Sequence, residues 1–390
     1  MKGCCSRIEY NGSMPVLFSH QPAWIASGAR LQNLAQTLRA RTRLAVDTES
    51  NSLYAYQERV CLIQFSTHDE DFLVDPLEIQ DLSPLGPVFA DPGIVKVFHA
   101  AEYDILCLKR DYGFEFLNIF DTMQAARILG YKRTGLEGFL RERFGVNVDK
   151  HYQKADWSRR PLRPEMLAYA CTDTHYLLPL QESFQSELIA RDRWDLAREE
   201  FQRISCLAHR DDTSMESPWQ KIAHASQLDD RQLAILQQLS AWREQQARKM
   251  DRPVFKVLSD RLLVELAGKE AGNLDELKQS GLTDRQCELF GLQLLKVIRQ
   301  GTRSRPVRRP RRVRLSEASL RRLEALREWR KSTALAWDLE SDIVLPKAFL
   351  HAIADKNPQD LVDLEKTMPG SPWRLKEFGE QILAVIKERV

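Results

Sequence analysis

The sequence predicts an α/β domain built on a mixed β-sheet, followed by two all-helical domains. Three observations carry that expectation. Between about residues 41 and 125, short apolar runs rich in Val, Ile and Phe alternate with helical patterns. After about residue 205 the strand signals stop. Beyond that point residues 239–267 align with residues 326–354 at a constant offset of 87.

RLAVDT (43–48), VCLIQFS (60–66) and DFLVD (71–75) read as strands separated by polar turns. Three strands so close leave no room for crossover helices, so an antiparallel meander is expected. A helix around 82–89, a strand at IVKVFH (94–99) and a helix over 102–111 come next. LNIF (117–120) is a further buried strand, followed by helices at 122–129 and 135–144 and a long helical stretch from Pro164 toward Ile189. Antiparallel strands followed by βαβ units imply a mixed sheet flanked by helices.

In the repeat, Trp242 meets Trp329, Arg243 meets Arg330, Ala247 meets Ala334 and Leu258 meets Leu345. After a one-residue shift, Phe290–Gly291 matches Phe378–Gly379. Such a periodic set implies two copies of one small helical module. The expected organisation is a tail (1–15), the α/β domain (16–205), a first helical domain (216–300), an Arg/Pro linker (301–314) and a second helical domain (315–390).

Composition narrows the class. With 390 residues, 43% apolar and 29% charged, the chain has ample core for two to four domains, which excludes disorder over most of its length. No window approaches the roughly 18 apolar residues of a membrane helix. The N-terminus lacks an apolar stretch behind Lys2, so it is not read as a secretory signal; Met14 is a candidate start, with 1–13 a ragged tail. The seven scattered cysteines contain no CxxC and read as reduced thiols of a cytoplasmic protein, with neither a zinc site nor a disulfide framework. Net charge is +2, but Arg299–Arg314 carries eight Arg and no acid. A run of that kind is a solvated tether or a polyanion contact.

Three segments carry carboxylates suited to chemistry. Asp47 and Glu49, at i and i+2 on an extended segment, project to one side. Asp104 follows the strand IVKVF in the first turn of a helix, where the macrodipole also favours an acid. Tyr169 and Asp173, at i and i+4, share one helix face. Taken singly, each has an ordinary alternative: a turn or cap, a helix-start acid, a Tyr–Asp hydrogen bond. Brought together, four hard oxygen ligands suit two Mg²⁺ or Mn²⁺ ions about 4 Å apart, the device that hydrolyses phosphodiesters.

The set Asp47/Glu49, Asp104 and Tyr169/Asp173 resembles the DEDD 3′→5′ exonucleases, in the subgroup with Tyr four residues before the last Asp. VFHAAEYDILCLKRDYG, NIFDTMQAARILG, KADWSRRPL and MLAYACTDTHYL resemble the ribonuclease D family and its exosome-associated relatives. The duplicated module resembles the HRDC domain, with its Trp-Arg, Ala and late Phe-Gly. The second copy departs most, having DLESDIV where the first has MDRPVFKV.

That resemblance implies a ribonuclease H-like α/β domain with Asp47, Glu49, Asp104 and Asp173 as ligands of two divalent ions and Tyr169 orienting the attacking water. It implies 3′→5′ trimming of RNA such as tRNA precursors, releasing nucleoside 5′-monophosphates. RNA would be held by the HRDC domains and the Arg299–Arg314 run, in a cytoplasmic monomer without membrane contact. A phenol with an ordinary pKa of about 10 is a poor base at neutral pH, so Tyr169 is expected to position rather than abstract. His99, Lys154, Arg159 and Arg160 are weaker candidates for substrate contact, each with an alternative as a structural His or as loop-solvating cations. Asp121 reads first as a helix N-cap, and Phe65 and Leu53 as core residues before base wedges. The competing readings are a single-stranded DNA exonuclease and a catalytically idle nucleic-acid scaffold.

Overall fold

The computed structural model describes residues 21–208, 217–309 and 315–387. Residues 1–15, Cys4 and Cys5 among them, and Arg311, Arg312 and Arg314 of the basic run lie outside the described residues. The chain forms two compact units. One gathers the sheet, its helices and the second helical repeat; the other gathers the first helical repeat with the loop 51–59.

In the first unit, β1 (Ala23–Ile25), β2 (Arg43–Ser50), β3 (Val60–Ser66), β4 (Asp71–Val74), β5 (Val95–Phe98) and β6 (Ile119–Asp121) form one sheet in the order β1-β4-β3-β2-β5-β6. β2, β3 and β4 are the expected antiparallel meander, while β1 pairs with β4, and β5 with β2 and β6, in parallel. Every residue of β3 and β4 is buried, which is why these strands read as continuous apolar runs rather than alternating ones.

Helices α1 (Gly28–Arg39), α2 (Gly86–Phe89), α3 (Glu102–Tyr112), α4 (Thr122–Ile128), α5 (Leu136–Phe144), α6 (Pro164–His175), α7 (Leu177–Ala190) and α8 (Trp194–Ser205) flank the sheet. The expected long helix from Pro164 is two helices. Pro179 sits in the first turn of α7; lacking an N–H and clashing with the carbonyl four residues back, it cannot continue α6, so the chain breaks at Tyr176. Phe65 is fully buried against Phe89 (5.8 Å between ring centroids), so it belongs to the core.

The first repeat comprises α9 (Asp230–Met250), α10 (Val254–Val257), α11 (Asp260–Lys269), α12 (Leu274–Gln279) and α13 (Asp284–Arg303). The second comprises α14 (Glu317–Trp337), α15 (Ser341–Val344), α16 (Lys347–Lys356), α17 (Leu361–Thr367) and α18 (Pro372–Lys387). Equivalent residues make the same bonds in both. Trp242 Nε1 donates to Gln293 and Trp329 Nε1 to Gln381, each at 3.2 Å. Arg243 donates to the Leu258 carbonyl and Arg330 to that of Leu345. A Cβ on Gly291 would lie 2.6 Å from the end of the Leu274 side chain, and one on Gly379 2.7 Å from that of Leu361, so the glycine of the Phe-Gly pair makes the same close approach in both copies.

The basic run is not a plain tether. Its start is the last turn of α13, Val307 N–H donates to the Asp230 carbonyl, and Arg309 donates to the carbonyls of Ala225 and Leu228. No helix among the described residues is long and apolar enough to cross a membrane.

Candidate active site

β2 projects Asp47 and Glu49 to the side of the sheet covered by α6, and Thr48 to the opposite side. Thr48 Oγ1 donates to Asp104 Oδ1 at 2.5 Å. Asp104 is buried in the first turn of α3, behind the end of β5. Tyr169 and Asp173 share one face of α6, where the phenol hydrogen-bonds the carboxylate.

The five groups share one electrostatic environment. Burial, then the charges of Asp104 and Asp173, raise the pKa of Asp47 well above the ordinary carboxylate value. Glu49 is raised well above its ordinary value by burial, then by Asp47, Asp173 and Asp104. Burial pushes Asp104 and Asp173 up to about 7 each, against the opposing bonds from Thr48 and Tyr169. Tyr169 is driven upward by burial and then by Asp173, Glu49 and Asp47. That phenol stays protonated and can donate, so it cannot act as a base at neutral pH.

Among the described residues no three His, Cys, Asp or Glu side chains close into a preformed cage for a metal ion. The acids instead stand as a set of mutually repelling oxygen donors, with Asp104 and Asp173 each restrained by a neutral hydroxyl. Hard, acidic donors whose ionisation is opposed by their neighbours fit divalent cations that supply the missing positive charge.

Sequence reasoning missed two contributors to this geometry. Thr48 orients Asp104; its only signal is its place between the two acids. Asp121 is the expected N-cap, accepting from Met123 N and Gln124 N, but it also accepts from Ala100 N (3.1 Å) and Ala101 N (2.9 Å). One buried carboxylate therefore straps the turn from β5 into α3, where Ala100 holds a left-handed φ of 66°.

The weaker candidates separate. Arg160 is committed to structure: Nε and one terminal nitrogen grip both oxygens of buried Asp75, and the remaining N–H groups go to the carbonyls of Cys61, Trp157 and Arg159. With all five donors used, the expectation that Arg160 meets phosphate is corrected. His99 shares a hydrogen with Thr122 Oγ1, and burial lowers its pKa to about 4, so it is neutral at pH 7. Arg159 is exposed and pairs with Asp156, and Lys154 is exposed on the same loop.

Known proteins resemble the chain in both kinds of domain. Residues 22–189 match the family described as 3′-5′ exonuclease, and residues 232–298 and 319–386 each match the HRDC domain. The crystal structure of Escherichia coli RNase D, "an exoribonuclease involved in structured RNA processing", is similar over 95% of this chain and 99% of its own, with a TM-score of 0.69 at 25% identity. In fold and domain order the chain is similar to ribonuclease D.

Ribonuclease D of Desulfotalea psychrophila is 28% identical over 298 residues, covering 76% of this chain and 80% of that protein. Protein RRP6-like 3 of Arabidopsis thaliana is 33% identical over 70% of the chain, which spans only about a third (33%) of that longer relative. The chain thus carries a 3′-5′ exonuclease domain, of a family dependent on divalent metal, followed by two HRDC domains.

Proposed function

We propose that this protein is a 3′→5′ exoribonuclease that shortens RNA 3′ ends, tRNA precursors among them, and releases nucleoside 5′-monophosphates. The observation that carries the reading is the shared environment of Asp47, Glu49, Asp104 and Asp173, with Tyr169 donating into it. These four carboxylates would hold two divalent ions. When bound, such ions would lower the pKa of water and stabilise the leaving oxygen.

The protein's own residues supply placement. Thr48 fixes the Asp104 carboxylate from behind, and Asp121 fixes the turn that carries it. The Tyr169 hydroxyl stays protonated and gives its one hydrogen to Asp173, so its oxygen can accept from a water and orient it rather than remove a proton. Lys154 and Arg159 remain the cations suited to a substrate phosphate. The HRDC domains and the arginines near Arg299–Arg314 supply sequence-independent affinity through phosphates. The reading includes a cytoplasmic, monomeric enzyme, which size-exclusion chromatography of the purified protein checks.

Incubation of a 5′-labelled, 3′-tailed RNA with the protein and Mg²⁺, Mn²⁺ or EDTA tests the function. A descending ladder that requires metal is the expected result. No shortening with any metal would sink the enzymatic reading, and preferential digestion of a matched DNA would replace RNA by DNA as substrate.

A further inference from the structure

On β3, side chains 62, 64 and 66 alternate onto the face that α6 covers. Leu62 packs with Leu167, Ala170 and Cys171, and Ser66 Oγ donates to Thr174 Oγ1 at 2.7 Å. Gln64 lies between them with no exposed surface, and neither its Oε1 nor its Nε2 has a hydrogen-bond partner among the described residues. Buried carboxamides of this kind are rare, because desolvating both a donor and an acceptor without compensation is unfavourable. An apolar side chain of the same length would fit the surrounding Leu, Ala and Cys residues without that cost.

The antiparallel ladder sets Gln64 directly opposite Asp47. Opposed residues project to the same face with Cβ atoms about 4.5–5.5 Å apart, within reach of a glutamine amide. Asp47 is itself pressed by the charges of Asp104 and Asp173. A carboxylate that offers one oxygen to a cation is held in orientation by a donor on its other oxygen, and the residue supplying that donor tunes the affinity of the site.

We propose that Gln64 is a positioning residue: its Nε2 donates to the Asp47 carboxylate when that carboxylate engages a divalent cation. The inference rests on reading the acidic set as a cation site. It gives the buried amide a role that packing alone does not supply, and it extends the site by one strand, from β2 to β3.

The test uses the full chain and the near-isosteric variant Gln64→Met, with Mn²⁺ titrated by calorimetry and thermal unfolding followed in EDTA. The expected result is an unfolding temperature in EDTA that is unchanged or raised, with Mn²⁺ affinity weakened by about 10–100-fold. Gln64→Asn, which keeps the amide but withdraws it by one methylene, should weaken Mn²⁺ binding to an intermediate degree. Unchanged Mn²⁺ affinity in Gln64→Met would overturn the proposal while leaving the cation site intact. A sharply lowered unfolding temperature in EDTA would also overturn it, by showing that the amide serves the core. A wild-type chain that takes up no Mn²⁺ would overturn the cation-site reading and this proposal together.

Discussion

Asp104 and Asp173, each raised to about 7 by burial, make the site sensitive to pH near neutrality. In the folded protein they hold protons that the unfolded chain, with carboxyls near 4, has already released. Their contribution to stability is therefore fully present below about pH 4 and is lost as pH rises through about 7. The metal-free protein should unfold at a lower temperature at pH 8 than at pH 5.5, with Mg²⁺ recovering the difference at the higher pH. Calorimetric scans in EDTA and in Mg²⁺ check this, and a metal-free unfolding temperature that rises across the interval would contradict it. Activity follows the opposite sign, because cations bind the ionised carboxylates: at limiting metal the rate should rise through about pH 7. Asp104→Asn or Asp173→Asn should lower kcat by about 10²–10³-fold or more, as the loss of a preorganised charge does. Tyr169→Phe should cost less, about 10–100-fold in kcat, the value of one hydrogen bond to a charged group. A larger loss, with a pH profile that changes shape, would point to proton transfer by the phenol.

Secondary-structure elements differ in how far their own residues announce them. β3 and β4 are legible because buried strands are short, apolar and bounded by turns. β1 has three residues, AWI, and its pairing with β4 rather than any local pattern makes it a strand. The acids of the candidate site could be found because two of the three segments announce a shared face by spacing, i and i+2 on a strand, i and i+4 on a helix. Arg160 was misread because its partner, Asp75, lies 85 positions upstream and leaves no local mark. Asp121 is an intermediate case: its cap was readable, its strap on Ala100 and Ala101 was not. Asp121→Ala would strand four backbone N–H groups, two of them in the turn that aims Asp104. It should cost about 2–4 kcal/mol in stability. It should also lower kcat more than it raises KM, since in the proposed function α3 carries a cation ligand rather than a substrate contact. Steady-state kinetics beside urea denaturation separates the two effects; an unchanged kcat would leave Asp121 a cap and nothing more.

At the scale of the whole molecule, the two helical repeats share a fold but hold different company. The first forms its own unit with the loop 51–59, in which Tyr56 bonds Glu244 and Asp251. The second belongs to the unit that contains the sheet. The first turn of its helix α18 carries Arg374, fully buried, which donates to Glu199 at 2.6 Å and to Glu200 at 3.0 Å, both on α8. The backbone N–H groups of Trp373 and Arg374 also donate to Glu199. Glu200 in turn pairs with Arg203, and Arg203 with Glu102 in the first turn of α3, so a chain of ion pairs runs from the second repeat to the helix of Asp104. Arg127 adds Glu340 and Asp342 on the neighbouring flank. A module that spends its charged residues on this seam is built as part of the nuclease scaffold. Arg374→Ala would leave Glu199 and Glu200 buried beside a missing cation, a defect that costs about 3–5 kcal/mol. The variant should therefore unfold the sheet-bearing unit at a lower temperature. Its RNA affinity below that temperature should keep the wild-type dependence on salt, because no phosphate contact has been removed. Thermal unfolding paired with RNA titrations at several salt concentrations decides it: a flattened salt dependence at unchanged stability would make Arg374 an RNA ligand instead of the pin that holds the second repeat to the nuclease.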